Sequence, residues 1–327
     1  MPRTPELVSV CAPMFNEQAT ARVFYERVTA AMADHPFELV IVDDGSSDGT
    51  GAALAELAAD DDRVKIVTLS RNFGHQTAIT AAMDHAEGDV VVMIDADLQD
   101  PPELITTMIE KWSEGCDVVY AARRRRVGES KFKLATARMF YRLLSHIADI
   151  EVQYESGDFR LLDRRAVDAL LSMRERNRYL RGMTVWVGFT QIAVPYDRDA
   201  RYAGETKYTL RRMIRFSLDA IASFSHAPLQ LATLVGFLFA VTAFICIPIA
   251  VGLRIAGDFI PGFATAIIVV LLLGGIQLMA IGVIGEYVGR IYDEVKRRPL
   301  YVVAERRNLT DRDVSDERAH REHTSVE

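Results

Sequence analysis

The amino-acid sequence predicts an α/β fold, a mostly parallel, doubly wound sheet, followed by a two-helix transmembrane hairpin. Three observations carry that expectation. Short apolar, β-branched runs alternate with helical stretches through the first third of the chain. Each run ends in polar or acidic residues, most conspicuously in Asp95-Ala96-Asp97. Two long stretches nearer the carboxyl end are almost free of charge.

In chain order, Leu7-Val8-Ser9-Val10-Cys11-Ala12 is the first strand, and Pro13-Met14-Phe15-Asn16-Glu17 is the loop at its carboxyl end. A helix follows to about Asp34. Residues 37–42 form the second strand, which ends in Asp43-Asp44-Gly45-Ser46-Ser47-Asp48-Gly49-Thr50, a segment rich in helix-capping types. Residues 64–69 form the third. Ser70-Arg71-Asn72-Phe73-Gly74-His75-Gln76 then leads into a helix over 77–86.

Val90-Val91-Val92-Met93-Ile94 reads as a strand buried on both faces, broken abruptly by acids spaced one residue apart. A helix over 103–114 and a strand over 118–121 complete the pattern. In open α/β sheets ligands bind outside the carboxyl ends of the strands. There this chain offers Asn16, Glu17, Asp43, Asp44, Arg71, Asp95, Asp97 and Arg123 to one crevice. Asp95 and Asp97 could hold a divalent cation through hard oxygen ligands, with a diphosphate supplying others; the plainer alternative is an acidic turn, with Pro101-Pro102 starting the next helix.

Half of the 327 residues are hydrophobic, unevenly spread. Residues 229–253 hold only Gln230 among strongly polar side chains, and residues 263–284 only Gln277. As helices these runs would reach roughly 30 to 38 Å, enough to cross a hydrocarbon core. Arg211, Arg212 and Arg215 precede the first run, and Arg290, Lys296, Arg297 and Arg298 follow the second. The intervening turn carries Arg254, offset by Asp258, so both ends are expected in the cytosol.

No secretory signal opens the chain. Cys11, Cys116 and Cys246 have no paired spacing and suit a reducing compartment. A formal charge of −7, without a basic stripe, disfavours nucleic acid as a partner. No Gly-x-Gly-x-x-Gly follows the first strand and no Gly-x-x-x-x-Gly-Lys-Ser/Thr occurs, which disfavours dinucleotide redox enzymes and P-loop phosphotransferases. Serine nucleophile elbows and Cys/His metal clusters are also missing.

Several ordered motifs together carry a family resemblance. They are Pro13-x-x-Asn16-Glu17, Val42-Asp43-Asp44-Gly45-Ser46-x-Asp48, Ser70-Arg71-Asn72-x-Gly74 and Asp95-Ala96-Asp97-Leu98-Gln99-Asp100-Pro101-Pro102. Later come Gly157-Asp158-Phe159-Arg160-Leu161-Leu162-Asp163, Arg201-Tyr202-x-Gly204-x-Thr206-Lys207-Tyr208 and Gly285-Glu286-Tyr287-x-Gly289-Arg290-Ile291-Tyr292. The chain resembles the inverting GT-A glycosyltransferases of family two, and within them the bacterial polyprenyl-phosphate (dolichyl-phosphate-type) enzymes. Thr206 stands where that family usually has serine, which keeps the hydroxyl.

The resemblance implies a GT-A catalytic domain over residues 1–207, a nucleotide-diphosphate sugar donor and a polyprenyl phosphate acceptor. Glucose from UDP-glucose is the first expectation. Pro13, Asn16, Glu17, Asp43, Asp44, Arg71 and Asp95 are then candidates for the nucleotide sugar, and Asp95, Asp97 and Gln99 for Mg2+ or Mn2+ and the diphosphate. Asp44 and Gln99 have a plainer alternative as helix caps. Asp158 resembles the family's essential acid near the sugar, its alternative being an ion pair with Arg160 or a neighbour.

The acceptor phosphate arrives as an anion, so displacement needs alignment and charge control more than a base. Arg123, Arg201 and Lys207 are the candidates for that. Asp97, Asp158 and Arg201 form the expected catalytic set.

Two further segments, 134–148 and 208–226, mix basic and apolar residues and are expected to lie at the bilayer surface, the alternative for each being an ordinary amphipathic helix packed on the sheet. Residues 285–304 are expected as a cytosolic carboxyl-terminal segment, and 305–327 as a disordered tail. Gly285-x-x-x-Gly289 permits close helix contact and with it a homo-oligomer. The expected location is the inner membrane, multi-pass, with the catalytic domain and both termini cytosolic. A processive polysaccharide synthase would carry a Gln-x-x-Arg-Trp motif and more spans, both missing here. A catalytically inactive membrane adaptor would have no reason to keep acids at three strand ends.

Overall fold

The computed structural model describes residues 3–124, 156–197, 227–256 and 262–309. Its first unit holds β1 (Val8–Met14), α1 (Gln18–Ala31), β2 (Phe37–Asp43), α2 (Thr50–Asp60), β3 (Val64–Leu69), α3 (His75–Asp84), β4 (Val90–Met93), α4 (Leu104–Ser113) and β5 (Val118–Arg123). It continues through β6 (Ser156–Asp163), α5 (Arg164–Ser172), α6 (Leu180–Trp186), β7 (Gln191–Tyr196) and β8 (Val303–Arg307). The second unit contains two long helices, α7 (Ala227–Ala256) and α8 (Phe263–Val295).

The strands of the first unit form one eight-stranded sheet in the order β7-β5-β6-β4-β1-β2-β3-β8. β1 pairs in parallel with both β2 and β4, and β2 with β3. Successive crossovers therefore run outward in opposite directions from β1. The carboxyl ends of β1 and β4 lie side by side at the topological switch point, where open sheets bind ligands.

The mostly parallel sheet is as expected, but three strands were not. β6 enters antiparallel between β4 and β5, and β7 pairs with β5 in parallel. The apolar residues of β6 are interrupted by charge, and β7 is a short run broken by Pro195, so their pairing depends on partners distant in sequence.

β2 and β4 are buried along their whole length. Val8, Val10, Leu39, Ile41, Val90 and Val92 join Phe24 and Val28 of α1 and Ile105, Met108 and Trp112 of α4 in one core. The opposite face of the sheet buries charge as well. Glu38 of β2 and Lys65 of β3 are paired at 2.6 Å, and Lys65 reaches Glu87 at 2.8 Å. Glu38 accepts from Ser9 Oγ and from the Glu87 amide. Lys65 is buried and would be costly alone, and the surrounding acids hold its pKa up against that burial.

One expectation is corrected. Residues 305–309 do not belong to a disordered tail, because Val303–Arg307 pairs antiparallel with β3 at the sheet edge. Ser70 N donates to Val302 O, Tyr301 Oη to Asp84, and Asn308 Nδ2 to the carbonyls of Ala58 and Val64. Composition suggested a solvated tail, but an edge strand needs only half its side chains apolar and takes its stability from backbone pairing.

In the second unit α7 and α8 contact each other. They contain the expected spans 229–253 and 263–284 and run past them, α8 by a further three turns through Val295. Among the described residues one segment, Leu272–Val295, is long and apolar enough to cross a membrane, with mean hydropathy 1.5. The expected surface segments 134–148 and 208–226 lie outside the described residues.

Candidate active site

Three loops at the switch point are stitched together by their own polar groups. Asn16 adopts a left-handed conformation (φ 55°), which asparagine tolerates better than most residues. Its amide donates to Ser46 Oγ, and its Oδ1 accepts from Ser47 N at 2.9 Å. Glu17 N donates to Thr50 Oγ1, which ties the β1 loop to the start of α2.

Asp43 accepts from Ser46 N at 2.9 Å and closes its own turn. Asp44 does not cap a helix. Its two oxygens accept from Phe73 N at 2.7 Å and Gly74 N at 2.9 Å, so it fastens the loop after β3. Gly45 (φ 69°) lets the two loops touch, since a Cβ there would lie 2.5 Å from the Arg71 carbonyl carbon. Arg71 lies over the Phe73 ring, 4.0 Å from its centroid. Pro13 is half-buried in β1, opposite Val42.

Beyond β4, the acidic turn is held in an unusual backbone. Leu98 has φ 60°, a left-handed conformation costing a non-glycine residue about 1–3 kcal/mol. Burial of its side chain and a hydrogen bond from Gln99 N to Asp97 Oδ1 at 3.1 Å keep it there. Asp95 is part-exposed, but its Oδ1 is buried and accepts no hydrogen bond. Burial and the neighbouring carboxylates push Asp95 up to about 6, opposed by His75.

An orphaned carboxylate oxygen beside a second acid, with a glutamine amide two residues on, fits a hard divalent cation that draws its remaining ligands from a diphosphate. Among the described residues no three His, Cys, Asp or Glu side chains converge as a closed metal cage.

Asp158 enters from β6. Arg181 of α6 donates to it through Nε at 2.6 Å and Nη2 at 3.1 Å. His75 Nε2 stands 3.5 Å from Asp158 Oδ2 and 3.4 Å from Asp95 Oδ1. Burial would raise Asp158, but Arg181 and His75 outweigh it and hold the carboxyl well below the usual range. Asp158 is therefore ion-paired, with Arg181 as partner rather than Arg160. Arg160 is buried beside Thr184 Oγ1, and burial lowers it to about 10.

His75 shows the converse balance. Burial lowers it, while Asp158 and Asp95 raise it to about 9. A group whose pKa rises on folding stabilises the fold fully below its unfolded value and loses that contribution as the pH passes its folded value. The difference in thermal midpoint between wild type and His75→Gln is accordingly expected to be largest below pH 6.5 and to shrink as pH rises through about 9. Thermal melts across that range check it; a constant difference would rule out the charged ring.

Arg123, at the end of β5, is less free than expected. Its Nε donates to Tyr196 Oη at 3.2 Å, and Nη2 lies 4.0 Å from Asp100. Tyr196 also donates to Asp100, and burial together with that acid raises the phenol to about 12. Arg201 and Lys207 lie outside the described residues.

The crevice thus brings together Asp95, Asp158 and two residues that sequence reasoning missed, His75 and Arg181. His75 stood in a noted loop but carried no chemical signature. Arg181 lies in a seven-residue helix with no motif.

Comparison with known proteins gives concordant relatives. The model of glycosyl transferase family 2 matches residues 9–171. The uncharacterized glycosyltransferase YkcC of Bacillus subtilis is 51% identical over 298 residues, 90% of this chain and 92% of that protein. The prophage bactoprenol glucosyl transferase homolog of Escherichia coli is 38% identical over 90% of this chain and 98% of its own length. The bactoprenol glucosyl transferase of Shigella phage SfV is 38% identical over 90% of this chain and 97% of its own.

Proposed function

The chain belongs to glycosyl transferase family 2, and on that premise we propose that it is a membrane-anchored inverting enzyme that moves one sugar, glucose in the first instance, from a nucleoside diphosphate to a polyprenyl phosphate on the cytosolic leaflet. The observation that carries this reading is the extent of the likeness. Proteins named bactoprenol glucosyl transferase match nine-tenths of the chain, well beyond the catalytic-domain model.

In this reading Pro13, Asn16, Glu17, Asp43 and Arg71 line the nucleotide end of the crevice, and Asp44 serves them by fixing the Phe73–Gly74 backbone. Asp95 and Asp97, with Gln99, would hold Mg2+ or Mn2+. The ion supplies neutralisation of charge on the departing nucleoside diphosphate. Arg201 and Lys207 draw in the acceptor phosphate, and Arg123, restrained by Asp100 and Tyr196, offers it a further cation.

An oxygen of the ionised lipid phosphate then attacks the anomeric carbon from the face opposite the diphosphate. The bond to the diphosphate breaks with its electron pair, and no proton need be removed. Asp158, held as a carboxylate by Arg181, suits a sugar hydroxyl better than a proton.

The charge-free runs 229–253 and 263–284 support a two-helix hairpin with cytosolic ends, and so a multi-pass inner-membrane enzyme. Segments 134–148 and 208–226 would lie along the bilayer, and Gly285 and Gly289 leave room for a homo-oligomer.

The test is incubation of membranes with labelled sugar nucleotides and polyprenyl phosphate, followed by mass measurement of the lipid. A gain of one hexose with UDP-glucose and Mn2+ is expected. A long glycan, or no sugar on the lipid with any donor, would overturn the reading.

A further inference from the structure

His75 is an unlikely residue for its position by local rules. It opens α3, where the helix dipole disfavours a cation by about 0.3–1 kcal/mol. The residue before it, Gly74, has φ 97° and ψ 155°, a conformation essentially confined to glycine. A Cβ on Gly74 would meet nothing within 4 Å, so its backbone shape, and not crowding, calls for glycine. That shape delivers the Gly74 amide to Asp44 and starts α3 with the ring aimed at two carboxylates.

A ring nitrogen facing two carboxylate oxygens must carry its proton, and it has one proton for the two. Asp158 is already bound by Arg181, whereas Asp95 Oδ1 has no hydrogen-bond donor. Gln76, the next residue, accepts from Leu180 N at 3.0 Å and so anchors the helix that carries Arg181. Asp95 and Asp158 come from separate strands, and the α3 start is a physical link between them.

We propose that His75 is a positioning residue of the transfer reaction, which, aimed by Gly74, fixes the spacing of Asp95 and Asp158 and so couples the diphosphate end of the site to its sugar end. The ring touches neither substrate in this role; it acts through the two acids. The inference deepens the proposed glycosyl transfer and rests on it.

The test is a double-mutant cycle on the full-length protein in membranes. His75→Gln, Asp158→Asn and the double variant are compared for transfer from UDP-glucose to polyprenyl phosphate, and for slow hydrolysis of UDP-glucose by water, which needs no lipid. His75→Gln is expected to lower kcat about 100-fold, the scale of a 1 Å misplacement, with a much smaller change in donor KM. Adding it to Asp158→Asn is expected to cost less than about threefold, because the group it positions is gone.

Gly74→Ala, which introduces no clash, is expected to reproduce the kcat loss in folded protein. Independent, multiplicative effects of His75→Gln and Asp158→Asn in either assay would overturn the proposal, as would a His75→Gln variant whose kcat per folded molecule is unchanged. A wild type that hydrolyses UDP-glucose but glycosylates no polyprenyl phosphate would instead overturn the acceptor assignment, leaving the hydrolysis cycle to judge His75.

Discussion

Replacing Asp97 by alanine is expected to lower sugar transfer by about a thousandfold or more while leaving the protein folded and in the membrane. The magnitude follows from the several kcal/mol that a bound cation contributes to a departing anion, at 1.36 kcal/mol per tenfold in rate. The fold should tolerate the change because Asp97 is part-exposed in a turn already secured by buried Leu98. Transfer measured at saturating Mn2+, with a thermal melt on the same sample, checks both halves. Activity within tenfold of wild type would remove Asp97 from the metal site. Asp97→Asn, which keeps shape but loses charge, should lie between the two.

The second large effect concerns stability. Ending the chain before Pro299 is expected to destabilise the catalytic domain by about 3–5 kcal/mol. Tyr301 is buried and contributes about 1.5–3 kcal/mol, and the hydrogen bonds of Tyr301 and Asn308 add about 1 kcal/mol each net. For a domain of this size that is a fall of roughly 10 °C in thermal midpoint. The bare edge of β3 should also promote association. Tyr301→Phe, which loses only the hydrogen bond to Asp84, should cost about 1 kcal/mol. An unchanged midpoint in the truncated protein would mean that β8 adds nothing to the sheet.

The consequence reaches the site. Val302 O holds Ser70 N, and Ser70 leads directly into Arg71 and the Phe73–Gly74 backbone bound by Asp44. The residues that lead into β8, in the expected cytosolic carboxyl-terminal segment, therefore brace the loop from which His75 is aimed.

Local pattern determined a good deal of this protein. The first five strands are mostly apolar runs, broken only by polar residues such as Glu38 and Lys65, and each lies within a residue or two of its expected place. The acids stand at strand ends because a charge inside a strand buried on both faces is costly unless it is paired, as Glu38 and Lys65 are. The length and lack of charge of residues 229–253 and 263–284 marked long apolar helices without any tertiary information.

Only the tertiary structure decided which of those groups meet. β6, antiparallel and interrupted by charge, brings Asp158 in from far along the chain, and α6 supplies Arg181 from a stretch with no periodic signal. Asp44 looked like a ligand or a cap and proved to be a loop fastener, because its two oxygens face backbone amides of a different loop. His75 became significant only when two acids from different strands converged on one ring nitrogen. Strand patterns are written by burial of neighbours in sequence, whereas charge networks are set by distances in space, and a sequence records the first directly and the second only through the fold.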